Sequence, residues 1–359
     1  MANSLWNSRI NPDQAIESFT AALDKDNATK GNVVDDYMAI ADSYHLTTCP
    51  HVTCFPGKIE NTETVRLANV DLDLSNWRSL LLACCVINSK VTEIYLHNCN
   101  LSSQHIVDLA AALSKIGTIK TLRLQYIDFG ITEANEAKLG EAMKSLLADS
   151  TGLSYVSITH CALPDAIGQT IASTLSRNFV LVGLNLSFNG FTDATLAQVV
   201  GSLRLTTNVK YLCLRGNGVD GSSLSGLLSQ CLGSETNAAD DATIKANAKA
   251  LGDKNKAIKD NNKKRKKAGH VELPELPALP EVVSKVGGKT VVVNQSLNML
   301  DLGENPVALQ HLEAAVQVLT GGDQELLASC PLQIRVSSSV VGEAGRALLS
   351  AHEKLFSFV

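Results

Sequence analysis

The sequence predicts an α/β solenoid, a row of short parallel strands each followed by a helix. Three observations carry this. Leu181 to Phe191 (LVGLNLSFNGF) sets apolar residues at its first, fourth, sixth and eleventh positions and Asn189 at its ninth. That pattern returns six more times, and the segments between copies have helical spacing. Leu184 and Leu186 are two apart and enter the core from one strand face, while Gly183, Asn185 and Ser187 point away from it. Asn189 is expected to turn its amide onto the backbone where the strand ends.

The copies begin at Thr62, Val91, Ile119, Leu153, Leu181, Val209 and Leu297, which lie 29, 28, 34, 28, 28 and 88 residues apart. An interval of 28 leaves room for a full helix after each strand. Ser102 to Lys115 places Ile106, Leu109, Ala110 and Leu113 on one face behind capping serines, and Asp165 to Arg177 and Thr192 to Arg204 repeat the arrangement. The 34-residue interval is the same unit with a longer helix, Thr132 to Ala148.

With these residues in place, the chain resembles the leucine-rich repeats of the ribonuclease-inhibitor type over roughly residues 62 to 320. The resemblance implies a right-handed, curved solenoid with a parallel sheet on the concave face and helices on the convex face. In that family cysteine regularly replaces the ninth-position asparagine, which fits Cys99 and Cys161; Val70 and Ile127 depart from the pattern.

Residues 1–60 carry no repeat, and the helical spacing of Pro12 to Leu23 and Asn32 to Tyr44 predicts an N-terminal cap. Residues 61–232 hold the repeats. Residues 233–290 are an insertion: from Glu235 to Ala268 ten Lys or Arg face five Asp or Glu, a local +5 in a chain of net charge −5, so the remainder carries −10. ELPELPALPE follows, where a proline at every third residue favours an extended, left-handed conformation. The insertion reads as a tether or an arm. Residues 291–359 supply the last repeat and a C-terminal cap, with a strand at Leu332 to Val336 and a helical run from Gly342 to Phe358.

The composition, 45% apolar with no apolar run long enough to span a bilayer and no secretory layout at the N-terminus, predicts a soluble intracellular protein. Nine scattered cysteines read as buried thiols, Cys84 and Cys85 included. His45, Cys49, His51 and Cys54 are zinc-type ligands at a spacing that fits no common metal module, so no metal or other cofactor is expected. Gly216 to Gly221 matches G-x-G-x-x-G, but Asn217 and Val219 occupy repeat positions, so a turn is expected there rather than a dinucleotide site. No catalytic set is visible, and the chain reads as a non-enzyme.

Binding is expected on the exposed strand positions three, five and seven. There Arg66, Tyr95, Arg123, Tyr155, Tyr211, Arg215 and Asp301 form a protein-binding candidate surface, because tyrosine and arginine dominate protein interfaces. Lys263, Lys264, Arg265, Lys266 and Lys267 are a weaker candidate for a polyanion, either an acidic protein surface or an import receptor. No aromatic lies among them, which disfavours specific nucleic acid.

The layout, with Tyr37 and Tyr44 ahead of the first strand and a Lys-rich insertion after Leu232, is similar to leucine-rich repeat proteins of ciliary and flagellar axonemes. That likeness implies a structural scaffold in the cytoplasm, within a cilium or flagellum, with axonemal proteins or tubulin as partners. Two alternatives remain: a regulator of a GTPase, as in the Ran GTPase-activating proteins of the same repeat type, and a soluble inhibitor that wraps one enzyme.

Overall fold

The structure is a computed structural model that describes residues 12–23, 32–44, 46–49, 52, 63–85, 89–148, 151–204, 208–269, 272–279, 283–286, 289–294, 296–321 and 331–358. The chain divides into two compact units, Met1–Ser154 with Asn255–Glu275, and Tyr155–Lys254 with Leu276–Val359. In both, short parallel strands alternate with helices.

In the first unit, helices α1 (Pro12–Leu23) and α2 (Val33–Ser43) precede strand β1 (Thr64–Ala68), helix α3 (Leu74–Cys84), strand β2 (Glu93–His97), helix α4 (Ser103–Ile116), strand β3 (Thr121–Gln125) and helix α5 (Glu136–Leu146). The three strands pair parallel, so that Arg66 stands opposite Tyr95 and Tyr95 opposite Arg123. Val65, Leu67, Ile94, Leu96, Leu122 and Leu124 are buried on the helix side. Each contributes about 1.5–3 kcal/mol of apolar burial. Helices α1 and α2 pack on α3, and Asn32 caps α2 by accepting from the amides of Val34 and Asp35.

A buried polar network ties α3 to α4. The Arg78 guanidinium, fully buried, meets the Asp108 carboxylate at 2.8 Å and lies 5.6 Å from the ring centre of Phe19 in α1. Gln104 donates to the second Asp108 oxygen at 2.8 Å, and the Trp77 indole donates to the carbonyl of His105 at 2.9 Å. The His105 ring spans from the Ser102 amide to the Leu72 carbonyl, closing the helix start against the preceding repeat. Burial holds its imidazole below the ordinary value, which favours the neutral form.

In the second unit the strands are β4 (Tyr155–Thr159), β5 (Gly183–Asn185) and β6 (Tyr211–Cys213), with helices α6 (Asp165–Leu175), α7 (Asp193–Leu203) and α8 (Leu224–Cys231) after them. The insertion follows as strand β7 (Leu232–Glu235), helix α9 (Ala238–Ala268), and strands β8 (Val283–Val286) and β9 (Lys289–Val293). These three strands form a small antiparallel sheet in the order β7-β9-β8. The repeat then resumes with β10 (Met299–Asp301), helix α10 (Leu309–Gly321), strand β11 (Gln333–Val336), helix α11 (Ser338–Ser350) and strand β12 (Phe356–Phe358). Strand β10 pairs directly with β6, Met299 opposite Tyr211, so the long interval leaves the register of the ladder intact.

The insertion, expected as a tether or arm, thus contains a 31-residue helix. Within the second unit its first turn is held by Arg204, whose two terminal nitrogens grip the Asp240 carboxylate, and its middle by Lys254, which lies 4.6 Å over the ring of Phe179. The Arg204 guanidinium holds the Asp240 carboxyl below the usual carboxylate range. At the chain's far end the run read as one helix from Gly342 breaks after Ser350. Phe356–Phe358 forms a strand parallel to β11, because burying Phe356 against the preceding strand needs extended backbone.

Two devices recur at the strand ends of the seven copies, the first in all of them and the second in part. The eighth position of all seven copies is left-handed: Asn69, Asn98, Tyr126, His160, Phe188, Gly216 and Glu304 have φ between 51° and 65°. Six of the seven are not glycine, so the bend is imposed by its surroundings against a cost of roughly 1 kcal/mol per residue. At Gly216 an added Cβ would fall 2.3 Å from the Phe188 ring, so glycine is also required for space.

The ninth position then stitches successive repeats together. The amide nitrogen of Asn217 donates to the carbonyls of Leu214 (2.8 Å) and Leu186 (3.1 Å), while its oxygen accepts from the amides of Asn189 and Phe191. Asn189 and Asn305 repeat the pattern. Cys161 in the same place gives its single S–H to the Thr159 carbonyl at 3.1 Å, where an asparagine amide has two N–H donors.

Candidate protein-binding face

Strand side chains that do not enter the core emerge on the opposite face of the sheet, and the register of pairing decides which of them stand side by side. In the first unit Arg66, Tyr95 and Arg123 form one column. Arg66 lies 4.7 Å over the ring of Tyr95, whose hydroxyl donates to Gln125 at 2.7 Å. Arg123 pairs with Glu93 at 2.7 Å while its side chain stays 57% exposed, where such a pair contributes little to stability. Tyr126, at the left-handed eighth position, packs edge-on against His97 at 5.4 Å. The result is a patch of one tyrosine beneath a guanidinium, with a second tyrosine against His97 at its rim.

In the second unit Tyr155, Gly183, Tyr211, Met299 and Gln333 occupy one column. The Tyr155 ring lies over Gly183, where a Cβ would come within 2.7 Å of it, so the small residue makes the seat for the ring. Tyr155 and Tyr211 remain 47% and 42% exposed. Arg215 reaches across to Glu304 at 2.5 Å, and this hydrogen bond holds its guanidinium more basic than usual. Beneath them, Ser187 bonds both Asn185 (2.5 Å) and the Cys213 sulfur (3.0 Å); burial pushes the Cys213 thiol up.

No protein-family model matches the chain, and no curated protein does.

Asp301 does not belong to this face as a contact residue. It is only 7% exposed, and its carboxylate accepts the amide of Gly303 at 2.9 Å, folding back to shape the strand end. Of the five basic residues at the end of α9, Lys263, Lys264, Lys266 and Lys267 are exposed, but Arg265 turns in and donates to the Lys115 carbonyl at 3.1 Å.

The glycines of the G-x-G-x-x-G match have their amides engaged. Gly216 donates to Gly303, Gly218 to Phe191 and Gly221 to Asp193, so these groups cannot cradle a phosphate. Of the His45, Cys49, His51 and Cys54 set, only Cys49 lies among the described residues, and among those residues no three metal-type ligands converge. Cys84 sits in the core of α3, where burial raises its thiol to about 12, far from a reactive thiolate. Among the described residues no helix is long and apolar enough to cross a membrane.

Two features escape a reading of the sequence. The Arg78–Asp108 pair joins residues 30 apart; its only local signal is an arginine inside the apolar stretch LSNWRSLLLACC. Tyr126 falls outside the strand columns because its exposure follows from the left-handed bend.

Proposed function

We propose that this protein is a non-enzymatic scaffold of the ribonuclease-inhibitor type of leucine-rich repeat, a curved right-handed solenoid whose strand face holds other proteins of a larger assembly. The observation that carries the reading is the pair Tyr155 and Tyr211, nearly half exposed on one column with a glycine seat between them. Exposed tyrosines on a rigid strand offer large contact area at small entropic cost, the chemistry of interface anchors. The Arg66–Tyr95 stack gives the first unit a comparable anchor.

The assembly we assign is a ciliary or flagellar axoneme or related cytoskeleton, on the layout of the helical lead-in and the Lys-rich insertion. Fractionation of cells tests this. The protein is expected to sediment with the detergent-insoluble cytoskeleton at low ionic strength and to be released by high salt. Complete recovery in the soluble fraction at low salt would contradict the assignment.

A further inference from the structure

The last three turns of helix α9, within the first unit, have two unlike sides. Ile258, Asn262 and Arg265 are half-buried, whereas Lys256, Lys259, Lys263, Lys266 and Lys267 are exposed. At 3.6 residues per turn these five lysines fall within roughly 100° of arc and span about 17 Å of helix axis.

One edge of this lysine face already carries an acidic segment, and it is the chain's own. Asn262 exchanges two hydrogen bonds of 2.8 Å with the backbone of Leu273, and the Leu273 side chain sits over Gly117. So anchored, Glu275 pairs with Lys259 at 3.2 Å and Glu272 lies 3.8 Å from Lys266.

The spacings explain the match. Carboxylates three residues apart on a proline-rich extended chain are separated by about 9.3 Å. Lysines seven apart on a helix are separated by about 10.5 Å. Lys256 and Lys263 repeat that two-turn spacing on the adjoining rank. Among the described residues the carboxylate paired there is Asp260 of the same helix, 2.8 Å from Lys263.

We infer that this lysine face docks an extended acidic segment of a partner protein, with a carboxylate at every third residue, in competition with the chain's own Glu272–Glu275. The chemistry of the face selects that occupant. Among the described residues it has no aromatic on which a base could stack and no arginine fork for phosphate, since Arg265 is turned inward. Nor does it carry an apolar anchor for a bilayer, because Ile258 faces the other way. The lysine face is a surface other than the strand face.

Fluorescence anisotropy of the full-length protein with a labelled peptide of repeated Glu-Leu-Pro tests it. Saturable binding is expected that weakens about tenfold between low and physiological salt. E272Q/E275Q should bind the peptide about fivefold tighter, because Lys259 and Lys266 are released from their pairs. K256Q/K263Q should bind it several-fold more weakly with the melting temperature unchanged. Absence of binding, an E272Q/E275Q affinity equal to that of the unaltered protein, or equal affinity for a DNA duplex would each overturn the proposal.

Discussion

Replacing Asp108 with alanine is expected to destabilise the first unit by about 3–5 kcal/mol, because it leaves the Arg78 guanidinium charged and buried without its carboxylate. Arg78 is fully buried, so water cannot take over the lost contact without opening the helix pair. Much of the loss is the penalty of stranding the cation rather than the worth of the pair. Removing both charges together, as in Arg78→Met with Asp108→Leu, should therefore recover most of the stability. Equilibrium denaturation of the three proteins measures this. A loss under about 1 kcal/mol in Asp108→Ala would show that the pair is not what joins α3 to α4.

The second large effect is expected at the ninth-position ladder. Asn305 is buried and makes four principal hydrogen bonds, donating to Leu214 and Leu302 and accepting from Asn217 and Val219. Asn305→Ala leaves those backbone groups unsatisfied in a dry bend, at a cost of about 3 kcal/mol. Asn305→Cys is expected to recover only part of that, because a thiol has one S–H, which at Cys99 and Cys161 goes to the carbonyl two residues earlier, whereas the Asn305 amide nitrogen donates to both Leu214 and Leu302. Denaturation midpoints should rank asparagine, then cysteine, then alanine. Equal midpoints for the three would mean the bend is held by the strands alone.

The strand columns were legible because a period of two and a fixed repeat length leave one choice of register, and Tyr155, Gly183 and Tyr211 do stand in line. The left-handed eighth position was not. Its seven residues share no chemistry, since the conformation is forced by the strand before it and the ladder after it. Asp301 was misread for a related reason: alternation along a strand says which way a side chain starts out, not that a short carboxylate will curl back onto Gly303. Helix α9 has the alanine and lysine content of a helix, yet its inward side mixes Asp240, Ile244, Asn247, Leu251 and Ile258, which gives no clean apolar period. Its anchors on Arg204 and Leu273 join residues that only the fold brings together.

The measurement that bears most directly on the strand face as a partner surface compares the purified protein with a Tyr155→Ser/Tyr211→Ser variant for binding to the isolated cytoskeletal fraction. Both side chains are largely outside the core, so the melting temperature should hold. The account predicts that affinity falls about a hundredfold, the loss of two interface anchors. Binding by the variant as tight as that of the unaltered protein would contradict it.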